Sequence, residues 1–352
     1  MGMAVAAPTT LRAIIFYGTG DPAHNTTPPT GGLTNSGWQY QGQWGGFLGT
    51  PISPRHFLAA SHVGGAVGDA FIFRGVPYVT TAMYDDPASD LRIWRVCGVF
   101  PDYAPLFDGV SEIGQPSVIF GRGTQRGSAV TMPGLFGPVT KGWTWGSYDG
   151  VERWGTNVIS AVLNGDAIEP LLGPVGDLLQ ATFDAGAGAD EAHLSTGDSS
   201  GGLFIRDGGV WKLAGINFAV EALFNTNAVG PGFFGAITDK GGLYSGGEGN
   251  WGQVPDLPND VPAALYATRI QSNLAWIRSV LNGPAPVELR LQSTTAVAGG
   301  YQVDTNAVHD AGARKFTVPL EGARRFFRIE GCGSTRITNI VVWGTNVVIR
   351  YE

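Results

Sequence analysis

The sequence predicts an all-β fold with a single closing helix, followed by a small β-rich module. Three observations carry this. Short apolar runs recur along the chain, each broken by Gly, Pro or Asp. The chain holds 54 glycines and 22 prolines, which suits many turns between short strands. No regular alternation of strand and helix patterns occurs, which argues against a parallel, doubly wound sheet.

In chain order, LRAIIFYG reads as a strand and GDPAHNTTPPTGGLTNSG as a polar loop. From Trp38 onward QWGGFLGTPISP, HFLAASHV, AFIFRG, DLRIWRVCGVF, SVIFGRG and GSAVTM read as strands with turns. GLFIRDGGVWKLAGINF reads as a hairpin, because Asp207-Gly208-Gly209 tolerates positive φ between two β-rich runs. Ile270, Leu274, Ile277 and Leu281 then fall at helical spacing, with Gly283-Pro284 as the stop. Arg269, Asn273 and Arg278 are expected on the opposite face of that helix. GPAPVE, residues 283–288, reads as a linker, so the expected domains are 1–283 and 284–352. The tail again reads as strands, ending in a hairpin around Gly344 to Asn346. Its Phe326, Phe327 and Trp343 suggest either core packing or an interaction or anchoring role.

Composition excludes several classes. Hydrophobic residues make up 43% and charged residues 14%, too apolar for disorder and too lightly charged for a coiled coil. A net charge of −7 without a Lys/Arg cluster excludes a nucleic-acid partner. No apolar run is long enough for a membrane span. Ala4-Val5-Ala6 would suit a signal cleavage site, although no apolar stretch precedes it. Cys97 and Cys332, far apart, make neither a disulfide framework nor a structural zinc site. No metal or cofactor is expected.

Chemistry concentrates in STGDSSGGLF, Ser195–Phe204. A serine there needs a base to take its proton, and that base is usually histidine. Of the five histidines, His24, His56, His62, His193 and His309, His62 is best placed, ending the apolar run FLAASH where a strand gives way to a turn. An aspartate must then orient the imidazole. DDPASDLRIWRV offers Asp85, Asp86 and Asp90; Asp90 leads directly into an apolar strand, and the other two sit beside Pro87 as turn residues. These patterns alone leave open whether Ser199 or Ser200 attacks.

FLAASH, SDLRIWRV and GDSSGGLF, in the order His–Asp–Ser, resemble the chymotrypsin/trypsin-like serine peptidases. IFGRGT and the Trp276-Ile277 helix resemble further segments of that family, and the matches run from about Trp44 to Leu281. The resemblance implies two antiparallel β-barrels with a C-terminal helix, and a secreted bacterial endopeptidase acting on protein or peptide substrates, extracellular or periplasmic. It makes His62, Asp90 and Ser199 the catalytic residues, with Gly197 and Ser199 as oxyanion donors. Asp198 becomes a loop anchor. An ungapped register puts the substrate-binding positions at His193, Phe218, Ala219 and Val220. His193 at the pocket base would favour an acidic side chain or be a structural histidine.

Departures are visible too. No Ile-Val-Gly-Gly start is present, Val63 replaces a cysteine, and Ser200 replaces a glycine. An α/β-hydrolase reading of Gly197-Asp198-Ser199-Ser200-Gly201 needs Ser, acid, His in that order, and the only downstream histidine is His309. The main alternative is an inactive scaffold of the same fold that binds without turnover.

Overall fold

The computed structural model describes residues 14–168, 173–221, 223–283, 289–296, 299–310, 312–322, 324–331 and 336–352, and the backbone of 3–4. Two compact units are present, Met1–Asn282 and Gly283–Glu352.

The first barrel is built from Gly42–Trp44, Phe47–Ser53, His56–Ala60, Ala70–Phe73, Val76–Asp85 and Leu91–Val96, all antiparallel and closed. Aromatic residues fill it: Trp44, Phe57, Phe71, Phe73, Trp94 and Phe100 are buried together, with Phe57 stacked on Phe71 at 4.0 Å. Close packing of rings at such distances adds to the apolar burial that closes the barrel.

The second barrel takes Pro116–Gly121, Arg153–Asn164, Asp177–Thr182, Gly202–Asp207, Val210–Glu221 and Ala264–Arg269. Pairing of Val210–Glu221 with Ala264–Arg269 closes the ring. The predicted hairpin turns at Gly208 and Gly209, both at positive φ. Met3–Ala4 adds antiparallel to Val220 and Glu221. The extended GSAVTM strand is one arm of a long hairpin, Thr124–Gly134 with Gly137–Tyr148, whose tip residues Leu135 and Phe136 are 90% and 99% exposed.

The barrels meet over one apolar cluster that includes Leu58, Leu91 and Ile93 from the first and Phe120, Phe204 and Leu213 from the second. Ile270, Leu274 and Ile277 of the Ile270–Leu281 helix pack into the same cluster. Asn273, expected on the solvent face, is instead buried, and its Nδ2 is satisfied within the helix by donating to Arg269 O at 2.7 Å. Arg269 pairs with the buried Glu112 through Nε and Nη2 at 2.8 and 2.9 Å, fixing the strand-to-helix corner. No described helix is long and apolar enough to cross a membrane.

The second unit holds two small antiparallel sheets. One pairs Leu289–Thr294 with Gln302–Val303 and Phe326–Gly331. The other orders Val308–Asp310, Lys315–Pro319, Asn346–Tyr351 and Ile337–Trp343. Leu291, Phe316, Val318, Val347 and Ile349 make its core. Phe327 packs partly against it, whereas Trp343 is 76% exposed on an edge strand. Cys97 is free, and Cys332 lies outside the described residues, as does most of the expected linker.

Candidate active site

The strand His56–Ala60 is buried through Phe57–Ala60, and a single tight turn, Ser61–Val63, follows it. This turn carries His62 out of the barrel wall to the seam. Asp90 reaches it from the neighbouring strand entry. Its Oδ1 accepts from His62 N at 3.0 Å and its Oδ2 lies 2.6 Å from His62 Nδ1, while Asp90 O accepts from Ser61 N at 2.7 Å. A carboxylate only accepts, so Nδ1 carries the proton and Nε2 is left as the basic nitrogen. Asp86 shapes the approach, accepting from Ala88 N and Ser89 Oγ at 3.0 and 2.8 Å, and Asp85 turns outward to Arg92. Asp86 leads into the turn, as the sequence indicates, whereas Asp85, expected there too, is the last residue of the Val76–Asp85 strand and pairs with Arg92.

The serine loop is set by Asp198, which is fully buried. Its carboxyl accepts from Ser195 N and Ser195 Oγ at 2.7 and 2.9 Å and from Gly123 N at 2.7 Å. Burial pushes its pKa well above the usual carboxylate range, against the pull of Ser195 and Arg153. Gly121 makes room for it: a Cβ there would sit 2.0 Å from Asp198 Oδ1.

The two serines have different surroundings. Ser200 is fully buried at φ +69°, with its Oγ accepting from Ala60 N at 3.0 Å and its N donating to Asn217 O at 2.9 Å. Ser199 is half-buried and lines a small pocket with Trp145, Leu194, Ser195, Thr196, Phe218, Ala219 and Val220. His62 presents its ring edge-on to Phe218 at 5.7 Å. Among the described residues no hydrogen bond joins His62 to Ser199, and the N–H groups of Gly197 and Ser199 donate to no other residue. The flanking N–H groups of Asp198, Ser200 and Gly201 are all spent on backbone carbonyls. Gly197 adopts φ +92°, a conformation glycine takes without cost.

Phe218, Ala219 and Val220 therefore line the pocket, but His193 does not. It is fully buried, with its two ring nitrogens 2.8 Å from Leu194 O and 3.3 Å from Ala264 O. The short Ala192–His193 strand pairs with Ile15–Phe16, which turns the imidazole into the core beside Phe183. The other histidines are accounted for: His24 pairs with Asp190 at 2.8 Å, His56 with Ser53 Oγ at 2.8 Å and His309 with Tyr351 at 2.7 Å. Two contributors were not singled out from sequence. Asn217 is fully buried and its Nδ2 donates to Phe120 O and Asp198 O at 2.8 and 3.0 Å, clamping the serine loop. Its only sequence signal is a carboxamide within the apolar run LAGINFAV. Trp145 comes from the long hairpin, far from any site motif.

Burial of titratable groups around this barrel makes stability depend on pH. Burial raises Glu191 to about 8, opposed by the Asp184 N–H, and raises Glu152 to about 8, opposed by Arg122. Burial lowers His193 to about 4, and lowers His56 to about 4 with help from Arg95 and Arg55. A raised carboxyl binds its proton more tightly when folded, so its contribution is full below the unfolded value and is lost as pH rises through the folded one. The lowered histidines contribute fully above 6.5 and lose it as pH falls toward 4. Between pH 4.5 and 6.5 these two sets oppose each other, and Asp198 adds to the carboxyl side. Above 6.5 only the carboxyls act, so the melting temperature is expected to fall between pH 6.5 and 8. Glu191→Gln should flatten that fall in a thermal-melt series. An unchanged slope would remove Glu191 as its source.

No family model and no curated protein matches the sequence. Solved structures similar to it include the Rv3671c protease in an inactive form, with 20% identity over 56% of this chain and 84% of that one, TM-score 0.36. Neuropsin, a serine protease expressed in the limbic system of mouse brain, is 15% identical over 70% of this chain and 96% of its own, TM-score 0.39. Human heparin binding protein is 14% identical over 72% and 95%, TM-score 0.41. The architecture assigns the fold by itself. Two closed six-stranded antiparallel barrels meet at one seam, and a helix follows the last barrel strand. This chain has the chymotrypsin-like fold of the trypsin-like serine proteases.

Proposed function

We propose that the chain is a serine endopeptidase using His62, Asp90 and Ser199. The carrying observation is the Asp90 carboxylate, which grips both the backbone and the ring of His62, whose ring meets Phe218 of the pocket that Ser199 lines. In this reading Ser199 Oγ attacks the acyl carbon. His62 Nε2 takes its proton and later returns it to the leaving amine, and Asp90 stabilises the imidazolium. The unspent N–H groups of Gly197 and Ser199 receive the oxyanion. Ser200 is excluded from attack because its hydroxyl is buried and committed to Ala60. The reading includes a secreted bacterial enzyme, extracellular or periplasmic, acting on proteins or peptides.

A second reading, a scaffold that binds without turnover, has one observation behind it: His62 and Ser199 are not hydrogen-bonded. Such bonds are often long in unliganded enzymes and tighten with substrate. Labelling with a fluorophosphonate, then locating the adduct by mass spectrometry, separates the two. The expected adduct is on Ser199 and is lost in His62→Ala. Folded protein that takes no label supports the scaffold.

A further inference from the structure

The pocket beside Ser199 is unusual in its size and its lining. Its volume is about 20 Å³, whereas a single water-sized group needs about 10–15 Å³. Leu194, Phe218, Ala219, Val220 and Trp145 give it apolar walls, and its remaining lining consists of serine and threonine. Among the described residues no Asp, Glu, Lys, Arg or His lines it. His193, the one titratable candidate, is turned into the core.

The walls are held firmly. Phe218, Ala219 and Val220 are each less than a tenth exposed and belong to the Val210–Glu221 strand. Just past them Glu221 pairs with the buried Lys240 at 2.7 and 2.8 Å and accepts from Ala264 N at 3.1 Å. Trp145 is stacked flat on Phe234 at 4.6 Å. Widening the pocket would mean moving a strand pinned by a buried ion pair, or a stacked indole. The outer edge of the same strand accepts an extended segment: Met3–Ala4 pairs with it antiparallel at Val220 and Glu221, and a substrate would take that place. An extended peptide laid along that edge would present side chains toward the pocket.

We infer that this pocket selects a small, uncharged side chain, alanine above all, in the residue before the scissile bond. This rests on the serine-peptidase reading of Ser199. A charged side chain would be desolvated with no partner. An aromatic or long aliphatic one has no room, and Val220, with its stiff branched side chain, sets the limit.

The test uses the wild-type chain and fluorogenic tetrapeptide amides that differ only at the residue before the cleaved bond: Ala, Phe, Arg or Asp. Fluorophosphonate labelling of Ser199 is run in parallel. Expected are a labelled Ser199 and a kcat/KM for Ala at least about 100-fold above the other three. Val220→Gly should then raise the Phe/Ala ratio by about tenfold or more, since removing methyl groups from a pocket shifts preference by that order. Labelling with preference for Arg, Asp or Phe would overturn the inference and leave the peptidase reading intact. Absence of labelling would sink the peptidase reading itself, and the inference with it.

Discussion

Ser199→Ala is expected to lower kcat by about 10⁴–10⁶-fold, the scale seen when a serine nucleophile is removed elsewhere. KM should change little, because the walls that hold substrate are other residues: Phe218, Ala219 and Val220 on one strand and Trp145 on the hairpin. The residual rate would come from the Gly197 and Ser199 N–H groups, which the alanine variant keeps. Ser200→Gly is the matched control. Glycine accepts the φ of +69° at no cost, and only the bond from Ala60 N is lost. A loss of about tenfold at most is expected from one hydrogen bond. Steady-state rates on a common peptide measure both. Near-normal turnover by Ser199→Ala would end the assignment, and collapse of Ser200→Gly alone would move it by one residue.

The second large effect concerns Asp198. Replacing it by alanine strips the acceptor from three groups at once: Ser195 N, Ser195 Oγ and Gly123 N. Ser195 Oγ still accepts from Thr124 N at 2.6 Å, so part of the network survives. The buried Gly123 N–H loses the oxygen it donates to, and the Ser195 turn loses two of its bonds. A destabilisation of about 1–3 kcal/mol is expected, read as a fall of about 5 °C in melting temperature. Fluorophosphonate labelling should fall as well, since the same loop carries Gly197 and Ser199. If labelling vanished while the melting temperature held, Asp198 would be acting in the chemistry and not as an anchor.

Much of the fold was legible in the sequence because its signals are local. Gly208-Gly209 between β-rich runs specifies a hairpin, and Ile270, Leu274 and Ile277 specify a helix, without reference to the rest of the chain. His62 was legible for the same reason: an apolar strand that ends in a turn delivers its last residue to an edge. Residues whose roles depend on distant partners were not legible. His193 sits at the expected register, yet pairing of its strand with Ile15–Phe16 points its ring inward. Asn273 occupies the polar side of the helical pattern, yet bonds to its own helix at Arg269 O. Asn217 and Trp145 reach the serine loop through tertiary packing of a strand and a hairpin that carry no site motif.

Closure of the barrels has a consequence for handling the protein. A closed ring leaves few unpaired backbone edges, and an unpaired edge is what a second chain uses to add itself as a strand. The Gly283–Glu352 unit is not protected in this way. Its Ile337–Trp343 strand ends a four-stranded sheet, and Ile340, Val341, Val342 and Trp343 are all exposed along it. Apolar, rich in β-branched residues and without charge, that run is prone to intermolecular zippering. Solubility on concentration and storage would thus be governed by the smaller unit, however stable the barrels are.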